Sequence, residues 1–142
     1  KSGGSNIAPS DASNHIFGYA VGVDLTKRDL QSVAKEAGKP WDLSKGFDNA
    51  APISEIVKKE EVLLKDGFIS LKVNGHEKQS SNIQNMAWKI NELISWLSRF
   101  ITLKSGDIIF TGTPAGVGKL SPHDKIEAEI ENVGKLSFEL IK

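Results

Sequence analysis

The segment 69–73 and the dipeptide that follows it constrain the fold of this chain more than any other feature. Apolar and polar residues alternate from Ile69 to Val73, as in a strand with one buried face. Asn74-Gly75 comes next, and this dipeptide is the strongest short signal for a hairpin turn. The sequence therefore predicts an antiparallel hairpin whose return strand covers about residues 77–80.

Further strands are predicted on both sides of this hairpin, either from apolar runs or from alternation. They cover residues 16–25, 52–57, 107–111, 126–130 and 136–141. The last two alternate, and residues 132–134 lie between them, so they predict a second hairpin.

Two segments have helical periodicity. Thr26 and Asp29 have the spacing of a capping box, and apolar residues at 30, 33, 34 and 37 follow on one face. Gly38 and the proline at 40 end this short helix. A second apolar stripe, from Met86 to Ile101, predicts a long helix. The sum is a β-rich α+β fold, and we expect residues 1–142 to form one domain.

The amino-acid composition excludes several classes of protein. Lysine plus arginine and aspartate plus glutamate number 18 each, so the net charge is zero and no nucleic-acid partner is indicated. The chain has no cysteine, which excludes disulfide scaffolds, thiolate zinc sites and cysteine nucleophiles. Its apolar runs are too short to cross a bilayer, so no membrane partner is expected.

The glycine-rich loop from Gly112 to Lys119 has some features of a phosphate-binding loop. The Walker spacing needs glycine where Thr113 stands, and it needs serine or threonine where Leu120 stands. We therefore exclude nucleotide binding. The glycines still free backbone N–H groups and let a ligand approach closely.

Asp24 is the acidic residue that its surroundings single out. It ends an apolar run, and carboxylates are rarely buried unless they are paired or bound to a metal. Spacing leaves two interpretations open, a functional carboxylate and an ion pair with Arg28 one helical turn further on. By spacing alone Arg28 and Gln31 belong to a solvated helix face, and Lys45 is a surface lysine. The histidines at 15, 76 and 123 are scattered, without the spacing of metal ligands.

Taken in order, several segments resemble the fumarylacetoacetate hydrolase family. Residues 24–31 carry the pattern Asp-x-Thr-x-Arg-Asp-x-Gln, and Lys45 stands in a loop that resembles the family's lysine loop. The matching segments are 18–31, 38–52, 73–75, 93–98 and 103–118. The resemblance runs from about residue 3 to the end of the chain.

This resemblance implies a fumarylacetoacetase-like mixed β-roll, α+β but mostly β, with one short and one long helix. It is closest to the small single-domain branch, which includes acylpyruvate hydrolases and oxaloacetate decarboxylases. It also implies a homodimer with a divalent cation, Mg²⁺ or Mn²⁺. By matching positions, Asp24 would be a metal ligand and Lys45 the catalytic residue that faces a developing enolate. The substrate's carboxylate and carbonyl end would be bound by Arg28, Gln31, Gly112 and Thr113.

The implied activity is metal-dependent cleavage of the C3–C4 bond of a small 2-oxo acid, by acylpyruvate hydrolysis or oxaloacetate decarboxylation. Two alternatives stay open, an isomerase or hydratase of 2-hydroxy-dienoic acids and a non-catalytic domain. We expect a cytoplasmic protein, or one of the mitochondrial matrix in a eukaryote.

The family pattern also includes residues upstream of the segment that Lys1 to Asn6 resembles. These are a Glu-x-Glu pair of metal ligands and a lid with a His-Glu pair. The sequence begins after both, so we expect an N-terminally truncated catalytic core whose metal site is incomplete.

Overall fold

The computed structural model describes residues 1–62, 64 and 66–141. Six strands and four α-helices lie in this part of the chain. The strands are β1 (Gly18–Tyr19), β2 (Val57–Lys58), β3 (Phe68–Val73), β4 (His76–Asn82), β5 (Lys125–Ile130) and β6 (Gly134–Glu139). The helices are α1 (Ala12–His15), α2 (Arg28–Glu36), α3 (Asp42–Lys45) and α4 (Ile90–Leu97).

The main sheet is antiparallel and has the strand order β4-β3-β5-β6. Both predicted hairpins are confirmed, β3 with β4 and β5 with β6. Asn74 and Gly75 have φ values of 51° and 78°, as a two-residue turn of the Asn-Gly type requires. Leu71 pairs with Gln79 and Lys72 pairs with Glu77, so Lys78 is the extra residue of a β-bulge.

Two apolar clusters hold the described residues together. One packs the sheet against the extended segment before α2 and centres on Val21, Ile126 and Ala128. The other packs α4 against the N-terminal loop through Ile7, Ile94 and their neighbours. The α+β, mostly β class predicted from the sequence is therefore confirmed.

The tie between α4 and the N-terminal loop includes one buried hydroxyl. Ser98 is 1% exposed and directly follows α4. Its Oγ accepts from the Ile7 backbone N–H at 2.9 Å and donates to the carbonyl of Ser95 at 2.9 Å. Helix α4 is therefore anchored at its C-terminal end.

The first predicted strand, residues 16–25, is only partly a strand. Gly18 and Tyr19 pair with β2, and the rest of the segment makes separate backbone bonds to residues 50–54. Val23 N donates to the carbonyl of Pro52 at 3.0 Å, for example. Proline has no N–H to return a bond, so a regular ladder cannot continue past this point.

The segment 107–111, predicted as a strand, belongs to no strand in the described part of the chain. Ile108 and Phe110 are 56% and 42% exposed. The prediction of a strand at 107–111 is therefore wrong, because strand-like composition does not supply the neighbouring strand that a ladder needs.

Both helices differ from the prediction at their ends. The capping box is wrong, because α2 begins at Arg28 after Lys27 and has no side-chain cap. The hydroxyl of Thr26 is engaged by Lys45 instead. The second helix covers only Ile90–Leu97 of the apolar stripe at 86–101, and irregular turns flank it. Among the described residues, no helix has both the length and the hydropathy needed to cross a membrane.

Candidate functional site

Lys45 and Asp24 form the charged centre of the candidate site. The Lys45 Nζ donates to Asp24 Oδ2 at 2.5 Å and to Thr26 Oγ1 at 2.8 Å. The side chains of Lys45 and Asp24 are 34% and 51% exposed, so both groups are open to a ligand. The ion pair between Asp24 and Arg28 that spacing left open is therefore wrong, since the partner of Asp24 is a lysine 21 positions further along.

The backbone around this pair is fixed by bonds from neighbouring segments. Leu25 N donates to the carbonyl of Ala50 at 2.8 Å, which holds the chain just after Asp24. Lys27 N donates to the carbonyl of Ser44 at 3.1 Å, which ties the start of α2 to α3. Ser44 is 1% exposed, and its hydroxyl donates to the carbonyl of Trp41 at 2.6 Å. Lys45 therefore extends from an anchored turn.

Arg28 and Gln31 contact each other on the first turns of α2. Arg28 Nη1 donates to Gln31 Oε1 at 2.8 Å. This bond occupies the acceptor of the Gln31 amide and leaves its NH₂ group for a ligand. Arg28 is exposed, as the simpler interpretation of the sequence predicted, whereas Gln31 is partly buried.

Gly112 and Thr113 lie on a loop beside the edge strand β4. The Thr113 Oγ1 accepts from Gln79 Nε2 at 2.8 Å, and the same nitrogen donates to the carbonyl of Pro114 at 2.7 Å. No pattern in the sequence marks Gln79 as a site residue. Residues 76–82 contain no apolar side chain, so no alternation marks which face of this strand is buried.

An open cleft of about 1140 Å³ runs past Gly112 and Thr113. Gly22 also lines it, next to Phe110. A Cβ on Gly22 would lie 2.7 Å from the Phe110 ring, so only glycine lets these segments approach so closely. The segment that carries Thr113 therefore passes close to the segment that carries Asp24.

The structure places the predicted site residues in three separate groups. Lys45 contacts Asp24, Arg28 contacts Gln31, and Gly112 with Thr113 lines the cleft. We predict that Asp24, Lys45, Gln31 and Thr113 converge on one cleft.

The fit of a divalent cation to this site is partial. Asp24 offers a hard carboxylate oxygen, the kind of ligand that Mg²⁺ and Mn²⁺ prefer. The described residues include no cluster of three or more acidic or histidine side chains that could hold a metal ion. Asp24 therefore fits as one ligand, and the described residues do not supply the others.

The three histidines lie outside this group. His76 and His123 are exposed. His15 is less exposed, and its Nε2 lies 3.3 Å from Asp11 Oδ2. The hydrogen bond from Asn14, together with His15, lowers the pKa of the Asp11 carboxyl.

The antiparallel sheets, the lysine–aspartate pair and the glycine-rich loop together match one known class of proteins. A profile described as the C-terminal domain of fumarylacetoacetate (FAA) hydrolase covers residues 2–141. The chain belongs to the fumarylacetoacetate hydrolase family.

Individual relatives fall within this family. Fumarylpyruvate hydrolase of Ralstonia sp is 42% identical over 135 residues, which cover 95% of this chain and 70% of that protein. Mitochondrial oxaloacetate tautomerase FAHD1 of Mus musculus is 39% identical over 138 residues, 96% of this chain and 62% of that protein.

A solved structure shows the same relationship. The crystal structure of fumarylpyruvate hydrolase from Pseudomonas aeruginosa in complex with Mn²⁺ and pyruvate superposes with a TM-score of 0.95 at 40% identity. The match covers 99% of this chain and 60% of that one. The chain thus spans between 60% and 70% of the length of these relatives.

Proposed function

We propose that the protein is an enzyme that forms the enolate of a small 2-oxo acid, most directly by cleaving the C3–C4 bond of an acylpyruvate. The observation that carries this proposal is the partly exposed side chain of Lys45, whose ammonium is held between Asp24 Oδ2 and Thr26 Oγ1. A fixed positive charge is what a developing enolate oxygen needs. The hydrolase and tautomerase names of the relatives support the same substrate class.

The reaction divides the site into a charge-stabilising end and a binding end. In hydrolysis water adds to the C4 carbonyl, the C3–C4 bond breaks, and its electron pair passes into the enolate of pyruvate. Lys45 stabilises that enolate, which is then protonated at C3. Oxaloacetate decarboxylation and oxaloacetate tautomerisation pass through enolates of the same kind, so one site serves all three.

The substrate's carboxylate end is assigned to Arg28, Gln31, Gly112 and Thr113. The Gln31 amide keeps its NH₂ group free of the Arg28 bond, and Arg28 holds that amide in place. Gly112 has φ of 122° and no atom near its Cα on the side-chain face, so its backbone is open to a ligand. We propose that these groups together supply hydrogen-bond donors to the substrate's carboxylate.

We propose Asp24 as one carboxylate ligand of a divalent cation. When bound, such a cation supplies Lewis acidity to the 2-oxo group. Lys45 would then share Asp24 with the cation and hold its carboxylate in a fixed orientation. A homodimer stays an expectation from the resemblance.

Steady-state kinetics with fumarylpyruvate and oxaloacetate, with Mn²⁺ or Mg²⁺ added, test this proposal. Pyruvate release from either substrate supports C–C cleavage, and enol–keto conversion of oxaloacetate without CO₂ release identifies a tautomerase. Conversion of a 2-hydroxy-dienoic acid alone identifies the isomerase or hydratase alternative. No turnover of any of them at full cation occupancy identifies a non-catalytic protein and contradicts the proposal.

A further inference from the structure

We infer that Gln79 is a positioning residue that fixes Thr113 and turns its hydroxyl hydrogen towards the carboxylate of the substrate. This inference rests on the proposed function for the role of Thr113. It concerns a residue that has no charge and does not line the cleft.

Gln79 holds the loop that carries Thr113 against β4, and we call its two hydrogen bonds to this loop the clamp. Gln79 is 9% exposed on the edge strand β4, directly after the β-bulge at Lys78. A bulge changes the direction in which the next side chain points, which here is towards the loop beside the strand. The amide NH₂ group has two hydrogens, and they bind the Thr113 hydroxyl at 2.8 Å and the Pro114 carbonyl at 2.7 Å. One side chain therefore holds two consecutive loop residues.

The bond from Gln79 sets the direction of the Thr113 hydroxyl. A hydroxyl has one hydrogen to donate and can accept in other directions. Because Thr113 Oγ1 accepts from Gln79, its own hydrogen must point elsewhere, and Thr113 donates to no side chain or carbonyl in the described residues. Thr113 lines the cleft, so this hydrogen is available to an acceptor such as a carboxylate oxygen.

A second contact holds the same loop against the same strand. Gly116 has φ of 102°, a conformation that other residues rarely adopt. A Cβ at this position would overlap with the Lys78 carbonyl oxygen. The loop backbone therefore packs directly against β4. The loop is thus fixed at Thr113, Pro114 and Gly116, and Gly112 at its start is left open.

Gln79→Glu in the native protein tests the inference with almost no change of shape. At pH 8 the new carboxylate accepts but cannot donate, so it draws the Thr113 hydrogen away from the substrate and repels the Pro114 carbonyl. We expect KM for the 2-oxo acid to rise about 10- to 100-fold, as for loss of a hydrogen bond to a charged group. We expect kcat to change much less.

The pH profile separates this role from a merely structural one. A glutamic acid side chain regains a donor hydrogen as the pH falls towards about 4.3. The ratio of KM between Gln79→Glu and the wild type should therefore shrink between pH 8 and pH 5. Gln79→Met removes both donor hydrogens without adding a charge, and it should raise KM at every pH with no recovery.

Lys78→Gln is the matched control. It changes the net charge by the same amount on the neighbouring exposed residue and leaves the clamp intact. We expect its KM to stay within about twofold of the wild type, because surface substitutions seldom disturb a protein. If Gln79→Glu and Lys78→Gln behave alike at every pH, the inference is overturned.

Hydrogen–deuterium exchange of residues 110–118 provides a readout that needs no turnover. Exchange should be faster in Gln79→Glu at pH 8 and normal in Lys78→Gln. Unchanged exchange in Gln79→Glu contradicts the inference that Gln79 holds the loop in place, whether or not the variant keeps its activity. Faster exchange in Gln79→Glu, combined with a wild type that neither binds nor converts 2-oxo acids, instead overturns the proposed function and with it the substrate role of Thr113.

Discussion

The ammonium nitrogen of Lys45 lies 2.5 Å from Oδ2 of Asp24, although the two residues are 21 positions apart. The pair joins the end of α3 to the extended segment that leads into α2. Both side chains are partly exposed, so the interaction is accessible to solvent and to ligands. A surface ion pair of this kind contributes little to stability. Stability therefore does not account for the arrangement, and we infer a functional role for it.

Replacing Lys45 by methionine should lower kcat by about two to three orders of magnitude, as for loss of one donor to a developing oxyanion. KM should change less, because an interaction made only in the transition state appears in kcat. The measurement is steady-state kinetics on fumarylpyruvate and oxaloacetate. Lys35→Met, at the exposed last turn of α2, is the control and should behave as wild type. A kcat within a few-fold of the wild type would assign Lys45 to the surface.

Replacing Asp24 by asparagine should weaken Mn²⁺ binding and activity together, because a neutral amide is a poorer ligand than a carboxylate. Loss of residues that only support metal ligands costs about 10- to 100-fold in affinity, so we expect at least a tenfold loss here. Isothermal titration with Mn²⁺ measures this directly. Asp48→Asn, an exposed aspartate near Lys45 in sequence, should titrate normally. Normal Mn²⁺ affinity in Asp24→Asn would leave Asp24 as a structural partner of Lys45.

Asp124 should make the stability of the main sheet depend on pH. Its Oδ2 accepts from the Ser121 backbone N–H at 2.7 Å and its Oδ1 from Asn74 Nδ2 at 2.8 Å. The Ser121 bond first, and then the Asn74 bond, lowers the pKa of the Asp124 carboxyl. Because the pKa is lower in the folded state, this stabilisation is present above the unfolded value of about 3.9 and is lost as the pH falls through the folded value.

Asp124→Asn tests this pH dependence, because asparagine can accept only one of these two bonds well. We expect a lower Tm than the wild type at pH 7 and a difference that shrinks towards pH 3. Thermal unfolding followed by circular dichroism at several pH values gives both quantities. A Tm difference that is the same at pH 7 and pH 3 would contradict the assignment.

Ser98→Ala should destabilise the protein by about 1–3 kcal/mol, because it leaves a buried backbone N–H without a partner. That N–H belongs to Ile7, which is 6% exposed and loses its 2.9 Å bond to the Ser98 hydroxyl. Urea denaturation measures the change in the free energy of unfolding. Ser95→Ala removes a hydroxyl from the same helix without breaking this bond, and it should cost less than 1 kcal/mol. Equal effects of the two substitutions would show that the buried bond is not the cause.

The elements that the sequence predicted well are those whose signals are local. The turn at Asn74-Gly75 and the alternation on either side of it determine a hairpin without reference to the rest of the chain. The end of α2 before Gly38, which has φ of 61°, is another local signal.

The features that the sequence did not predict depend on distant partners. Thr26 has the spacing of a capping residue, but a lysine 19 positions away takes its hydroxyl. The sequence does not predict the role of Gln79, because this role depends on a loop 34 residues further along the chain and on a β-bulge that has no sequence signature here. The roles of Lys45, Gln31 and Thr113 were predicted from family resemblance alone. The surroundings of Asp24 singled it out, but they left a functional carboxylate and an ion pair equally open.

The loop that carries Thr113 has a consequence for aggregation. β4 is an edge strand of the main sheet, and exposed edges can pair with other chains and start aggregates. The contacts of Gln79 and Gly116 place the loop along this edge, while the bulge at Lys78 interrupts its regular row of backbone groups. The same few residues that are proposed to orient a substrate donor therefore also protect the sheet from edge-to-edge association between molecules.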